Sequence, residues 1–154
     1  MLAYVFLLAL LAPSALVSAQ TAGIRQCTGG RLLPNSVTIN NCSQTPCDVV
    51  QGSNAVMNVD FRSLRAASNL RPQVFATALG ETIEYNLPPN QREACDHLIT
   101  GSCPLSVNED ATYRFVFPIT AIYPPIPVTV ELTLWDQLNQ HVFCALIDIH
   151  VRLR

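Results

Sequence analysis

The sequence predicts an all-β fold, an antiparallel sandwich or barrel, and three observations predict it. Short stretches alternate apolar and polar residues, as half-buried strands do. Turn residues separate these stretches at short intervals, and no long segment has the apolar period of a helix. The chain of 154 residues also contains six cysteines. An even cysteine count in a small domain is typical of a secreted protein with a disulfide framework.

Residues 1–19 are predicted to be a signal peptide. Residues 7–11 form a short apolar core, Pro13 and Ser14 interrupt it, and residues 17–19 supply the small side chains needed for cleavage before Gln20. A membrane anchor is the alternative, but a spanning helix needs about 20 mostly apolar residues and this segment is interrupted repeatedly. The mature chain, residues 20–154, is short enough to be one domain.

The predicted strands follow one another along most of the mature chain. They are residues 37–39, 49–50 before Gly52, 57–62, 73–79 and 81–87 around Gly80, 113–117, 126–135 and 145–153. In the third of these, Met57, Val59 and Phe61 share one face. Residues 63–70 have a helix-like composition, but Pro72 closes them, so we expect an exposed turn or a short helix there.

The spacing of the cysteines favours two local disulfides. Cys42 and Cys47 enclose a tight turn, and Cys95 and Cys103 bracket the turn residues 100–102, which leaves Cys27 for Cys144. Free thiols or a zinc site are the alternatives. Zinc sites favour closely spaced Cys and His ligands, and this sequence repeats no such unit, so we expect no metal.

Several functions are disfavoured by composition and motifs. The formal net charge is −2 and there is no basic stripe, so we expect no nucleic-acid partner. His97, His141 and His150 are scattered, and no nucleophile, base and acid can be grouped with them. We therefore expect neither an enzyme nor a cofactor.

Two short motifs have alternative interpretations. Asn41-Cys42-Ser43 is a sequon, which predicts glycosylation of Asn41 on a solvent-facing loop. Residues 123–127 match a polyproline ligand, but a rigid turn that leads into the next strand explains them better.

A family resemblance rests on an ordered set of motifs. An ordinary immunoglobulin domain is disfavoured, because no cysteine pair flanks the single tryptophan, Trp135, at the required spacing. The motifs are the six-cysteine order, the turn ending in Pro46-Cys47, Gly52, Cys103-Pro104-Leu105, Tyr123-Pro124 and Phe143-Cys144. Together they resemble Niemann-Pick type C-2 proteins of the MD-2-related lipid-recognition (ML) domain family, in an arthropod-type form. The resemblance extends from Cys27 to about Val151.

The resemblance implies an immunoglobulin-like antiparallel β-sandwich with an apolar cavity between its sheets. It implies the same three bridges, and we expect the long Cys27–Cys144 bridge to hold the splayed sheets together. The residues that match the family's cavity are Ile39, Val49, Met57, Val59, Val74, Ala78, Ile83, Tyr85, Phe117, Ile119, Tyr123, Pro124, Val128, Val130, Leu132, Ile147 and Ile149. Plain core packing is the alternative for each, because alternating apolar residues look the same around a void as in a filled sandwich.

Two positions depart from mammalian relatives. In the family, an aromatic residue and a tyrosine gate the entrance, and here these are Tyr85 and Tyr123, with Ile119 beside them. Tyr85 replaces a phenylalanine and adds a hydroxyl group at the entrance. Ala145 replaces a large tryptophan, which predicts an enlarged or reshaped inner cavity.

The resemblance also implies a function. The expected protein is a secreted, monomeric carrier, extracellular or lysosomal, that holds a sterol or similar apolar lipid. The carrier would transfer this lipid through transient membrane contact, or to a membrane sterol transporter or receptor. A carrier of fatty acids or semiochemicals, an innate-immune lipid-recognition module and a non-binding adhesion domain are the alternatives. All nine basic residues are arginines, and the lack of lysine disfavours the immune module.

Overall fold

The computed structural model describes residues 19–154, so the predicted signal peptide lies outside the described residues except for Ala19. Ten strands account for most of this part of the chain. They are β1 (Arg25–Gln26), β2 (Ser36–Ile39), β3 (Cys47–Val50), β4 (Asn54–Ser63), β5 (Leu70–Ala78), β6 (Glu81–Tyr85), β7 (Leu98–Thr100), β8 (Glu109–Pro118), β9 (Pro127–Asp136) and β10 (His141–Arg152). Two short 3-10 helices, Pro89–Gln91 and Ala94–His97, lie between β6 and β7. None of the helices in residues 19–154 has the length and hydropathy to cross a bilayer.

The strands form the two sheets of a sandwich, which confirms the predicted fold class. The large sheet has the order β1-β10-β9-β5-β6, and the small sheet has the order β2-β4-β8-β7. One pairing differs from the antiparallel prediction, because β3 runs parallel to β10, with Cys47 opposite Ile149 and Val50 opposite Arg152. The chain passes from the small sheet to the large one between β2 and β3, so β3 does not form a hairpin with β2.

Strand β4 follows its predicted alternation. It pairs with β2 on one side and with β8 along its full length, from Asn54 opposite Pro118 to Ser63 opposite Glu109. Met57, Val59 and Phe61 are buried, and the residues between them are more exposed. Their face of the small sheet therefore packs against the large sheet, which is the arrangement that period-two alternation predicts.

Residues 63–70 contain the expected exposed, non-helical connection at residues 64–69, but the segment is also fixed to the core at two points. Ala67 and Leu70 are buried, and Ala67 exchanges backbone hydrogen bonds of 3.0 and 2.8 Å with Leu105. Pro72 does not close the segment, because β5 begins at Leu70 and pairs Pro72 with Leu134. Strand β6 pairs with β5 only from Val74 onward, so Pro72 lies where the other edge of β5 is free and a proline is tolerated.

All three expected disulfides are present, but the long one does not join the two sheets. Cys27 directly follows β1, which pairs with β10 beside Cys144, so this bridge lies within the large sheet. Cys42 lies at the end of the small sheet, where its backbone pairs with that of Ile39. The Cys42–Cys47 disulfide connects this end to β3 of the large sheet. The Cys42–Cys47 disulfide, and not Cys27–Cys144, therefore joins the two sheets of the sandwich.

Candidate functional site

An apolar cavity of about 290 Å³ lies between the two sheets. Met57 and Phe115 line it from the small sheet, and Val74, Val130 and Ile147 line it from the large sheet. Each of these residues lies on the inward face of its strand, because alternate side chains of a strand point to the same face. The sheets thus leave unfilled a part of the space that facing side chains fill in an ordinary sandwich.

Most of the side chains predicted from the resemblance line this cavity. They are Ile39, Val49, Met57, Val74, Ala78, Ile83, Tyr85, Phe117, Ile119, Tyr123, Pro124, Val128, Val130, Ile147 and Ile149. The prediction missed Ala55, Ala76, Glu81, Phe115, Ile126 and Val151, which also line it. All six lie two positions from a predicted residue, and the same alternation could have identified the five apolar ones. Glu81 lies two positions from Ile83, but its charge hid it, because a charged residue is not expected on an apolar wall.

Three expectations about the inner end differ from the structure. Val59 and Leu132 do not line the cavity; each is 0 % exposed and packs in the main core. They are the next inward-facing residues after Met57 and Val130, so the two sheets come into contact two residues beyond the cavity-lining positions. Ala145 pairs with Leu132 and is also fully buried in this core, so it does not line the cavity.

The entrance is built from stacked aromatic rings. The ring centroids of Tyr85 and Phe117 are 4.7 Å apart with an edge-to-face arrangement, and those of Phe117 and Tyr123 are 6.0 Å apart and nearly parallel. Phe115 lies behind Phe117, with centroids 6.2 Å apart. Burial and the nearby hydroxyl of Tyr123 raise the pKa of Tyr85, so this phenol stays neutral at physiological pH. The two predicted tyrosines therefore both pack against Phe117.

Two exposed segments border the entrance. The first lip is the tip of the β5–β6 hairpin, residues 78–83, and the second lip is residues 119–126 between β8 and β9. Leu79 and Ile83 of the first lip are 88 % and 67 % exposed, and Ile122 of the second lip is 84 % exposed. Large apolar side chains with this exposure are costly to leave in water, so they suggest a partner surface at the entrance.

The second lip is anchored to the turn between β3 and β4. The backbone N–H of Gly52 donates to the carbonyl of Ile119 at 2.6 Å, and the N–H of Ile119 donates to the carbonyl of Ser53 at 2.8 Å. The side-chain amide of Gln51 donates to the carbonyl of Tyr123 at 2.7 Å. These bonds hold Ile119 and Tyr123 in place at the cavity while leaving the tip of the lip exposed.

The remaining predicted features lie away from the cavity. His97 contacts the backbone carbonyl of Asn90, and His141 packs edge-on against Trp135. Asn41 is exposed after β2, and its glycosylation stays a prediction. Glu131 approaches the sulfur atoms of Cys27 and Cys144, but a disulfide offers no thiolate to a metal.

The fold and the cavity define a class, that of β-sandwich proteins with an apolar chamber open at one end between their sheets. The ML domain family model matches residues 22–151. The pig NPC intracellular cholesterol transporter 2 is 30% identical over 97% of each chain. The corresponding cattle protein is 30% identical over 92% of each chain. The chain belongs to the ML domain family, and the resemblance to Niemann-Pick type C-2 proteins is confirmed.

Solved structures share the same fold. A Niemann-Pick type C2 protein from the Japanese carpenter ant superimposes with a TM-score of 0.74 over 84% of this chain and 99% of that chain, at 16% identity. Chicken MD-1, solved in complex with lipid IVa, superimposes with a TM-score of 0.53 over 80% of this chain and 83% of that one, at 16% identity. At this level of identity the similarity shows the fold alone.

Proposed function

We propose that this protein is a carrier that holds a sterol or another apolar lipid in the inter-sheet cavity. The observation that carries the proposal is the cavity itself, lined almost entirely by apolar side chains and open at one end. Its pig and cattle relatives are named cholesterol transporters, and the related chicken MD-1 was solved with a lipid. The family is one of lipid-binding carriers and not of enzymes, which supports binding without catalysis.

The size of the cavity supports an apolar ligand larger than a single ring. An engineered apolar cavity of about 150 Å³ in another protein stays dry and binds benzene, and this cavity has about 290 Å³. Small-molecule sites range from about 300 to 1,000 Å³. This cavity lies at the lower end of that range, so a ligand larger than about 290 Å³ would have to displace side chains that line it. Burying about 300 Å² of its apolar surface would contribute roughly 7 kcal/mol.

The carrier transfers its lipid at a membrane surface in this proposal. The exposed side chains of Leu79, Ile83 and Ile122 surround the entrance, so a bilayer in contact with both lips would let a lipid move without crossing water. Secretion, a lysosomal site of action and a membrane sterol transporter or receptor as acceptor belong to the same proposal. These follow from the predicted leader and from the family resemblance.

Loss of the apolar lips is expected to slow transfer without weakening binding. In the double variant Leu79→Ser, Ile122→Ser, we expect transfer of a fluorescent lipid between vesicles to slow by about tenfold, because less apolar surface enters the bilayer. Its affinity for the same lipid should change less than twofold, since neither residue lines the cavity. A Leu64→Ser, Leu138→Ser variant, exposed elsewhere, is the matched control. Equal transfer rates in both variants would contradict membrane contact through the lips.

The carrier function itself is tested by what the protein binds. The protein secreted from cells is extracted with organic solvent and its lipids are identified by mass spectrometry, and the emptied protein is then titrated with a fluorescent sterol and a fluorescent fatty acid. We expect lipid in about equimolar amount and saturable uptake of at least one probe. An extract without lipid, together with no uptake of either probe, would reject the proposal.

A further inference from the structure

The polar side chains that the described part of the chain offers to the cavity lie near its entrance. Among the lining side chains of residues 19–154, oxygen atoms occur in Glu81, Tyr85 and Tyr123, and the others are apolar. A polar group placed deep in the cavity would lose its hydrogen bonds to water without replacement, which costs several kcal/mol. The polar end of any lipid held here therefore lies at the entrance, where these three groups are.

Within residues 19–154, Glu81 is the one charged residue that lines the cavity. It lies at the tip of the β5–β6 hairpin, opposite Ala78, on the same face of β6 as Ile83 and Tyr85. The ion pairs formed within residues 19–154 involve other carboxylates, and no arginine lines the cavity. The carboxylate thus places a negative charge at the entrance that no neighbouring cation of the described chain neutralises.

We propose that Glu81 makes the entrance select lipids by the charge of their polar end. The selection disfavours a carboxylate or other anionic end and favours a hydroxyl or an amine. Because Glu81 is exposed to solvent, the repulsion between its carboxylate and the carboxylate of a ligand is modest, about fivefold in affinity. The two tyrosine hydroxyls can accept or donate, so they accommodate an alcohol but do not neutralise an acid. This inference rests on the proposed carrier function and specifies its ligand class.

Glu84 provides a matched control for Glu81. It lies on the same strand but on the opposite face, where its carboxylate accepts a hydrogen bond of 2.8 Å from the side chain of Gln73. It does not line the cavity. Glu84→Gln and Glu81→Gln both remove one negative charge from β6, so a difference between them reports the position of the charge and not the net charge of the protein.

The test is a competition series with one alkyl chain and three polar ends. A fatty amine, the fatty alcohol and the fatty acid of equal chain length displace the neutral probe N-phenylnaphthylamine from wild type, Glu81→Gln and Glu84→Gln. In wild type and Glu84→Gln we expect the order amine, alcohol, acid, with about fivefold between neighbours at low salt. In Glu81→Gln the affinity for the acid should rise at least about threefold, and the affinity for the amine should fall by the same factor. Added salt should reduce the differences in affinity among the three lipids in wild type, because the exposed charge is screened.

The outcomes separate this inference from the carrier function. If all three lipids displace the probe and the series is the same in wild type and Glu81→Gln, the selectivity is overturned and the carrier function stands. If the acid binds wild type more tightly than the alcohol, the selectivity is also overturned. If none of the lipids displaces the probe and no lipid co-purifies, the carrier function is rejected and the selectivity is rejected with it.

Discussion

Replacing Val49 with phenylalanine is expected to reduce lipid binding by at least tenfold. Val49 lies on β3, lines the cavity and packs with Ile119 and Val151. A larger side chain at this position has empty space in front of it, so its ring enters the volume of about 290 Å³ that a lipid would use. Overpacking in a filled core costs about 1–3 kcal/mol, but here the cavity accepts the ring, and we expect little loss of stability.

The adjacent residue supplies the control for this substitution. Val50 is on the same strand, 40 % exposed, and points away from the cavity. Val50→Phe adds the same atoms outside the cavity and should leave the affinity within twofold of wild type. Titration with a fluorescent lipid and thermal unfolding of both variants measure the two effects. If Val49→Phe keeps wild-type affinity while remaining folded, the lipid does not occupy this cavity.

The strands were predictable because their alternation is a local property. The face of β4 that carries Met57, Val59 and Phe61 is buried as predicted. The same period occurs in the residues of β9 and β10 that line the cavity, which are Val128, Val130, Ile147, Ile149 and Val151. Strands β1 and β7, with two and three residues, were missed because so few residues show no period. Both depend on the pairing partner and not on their own composition.

The inner boundary of the cavity could not be predicted from the pattern. Met57 and Val59 are both apolar and inward-facing on β4, yet only Met57 lines the cavity. The difference depends on where the facing sheets come into contact, which is set by side chains from several strands together. Periodicity identifies the face of a strand but not the distance to the opposite sheet. The family resemblance identified the cavity, and the structure adds where it ends.

The role of the disulfides was partly predictable. Proximity in the sequence favoured the two local bridges and left Cys27 for Cys144, and the structure contains all three. The expectation that Cys27–Cys144 holds the two sheets together was wrong, because sequence separation does not reveal which strands share a sheet. Since β1 pairs with β10, the bridge with the longest loop joins neighbours, and the short Cys42–Cys47 bridge spans the sandwich.

Removing either Cys27–Cys144 or Cys42–Cys47 is therefore expected to affect stability and lipid affinity to different degrees. The double variant Cys27→Ala, Cys144→Ala opens a loop of 117 residues, and the loop-entropy relation gives a loss of about 5 kcal/mol in the free energy of unfolding. The double variant Cys42→Ala, Cys47→Ala opens a loop of five residues, for which the same relation gives about 2 kcal/mol. Urea unfolding of the wild type and of both variants measures these losses.

The effect on lipid affinity is expected to have the opposite order. Ile39 precedes Cys42 and Val49 follows Cys47, and both line the cavity, so loss of the bridge between the sheets should weaken binding by several-fold. Loss of Cys27–Cys144 should leave the affinity of the folded protein nearly unchanged, because this bridge joins neighbouring strands of one sheet. Titrations in sucrose, which favours the compact state, keep both variants folded. A larger loss of affinity in the Cys27→Ala, Cys144→Ala variant would mean that the long bridge, despite lying within one sheet, maintains the cavity.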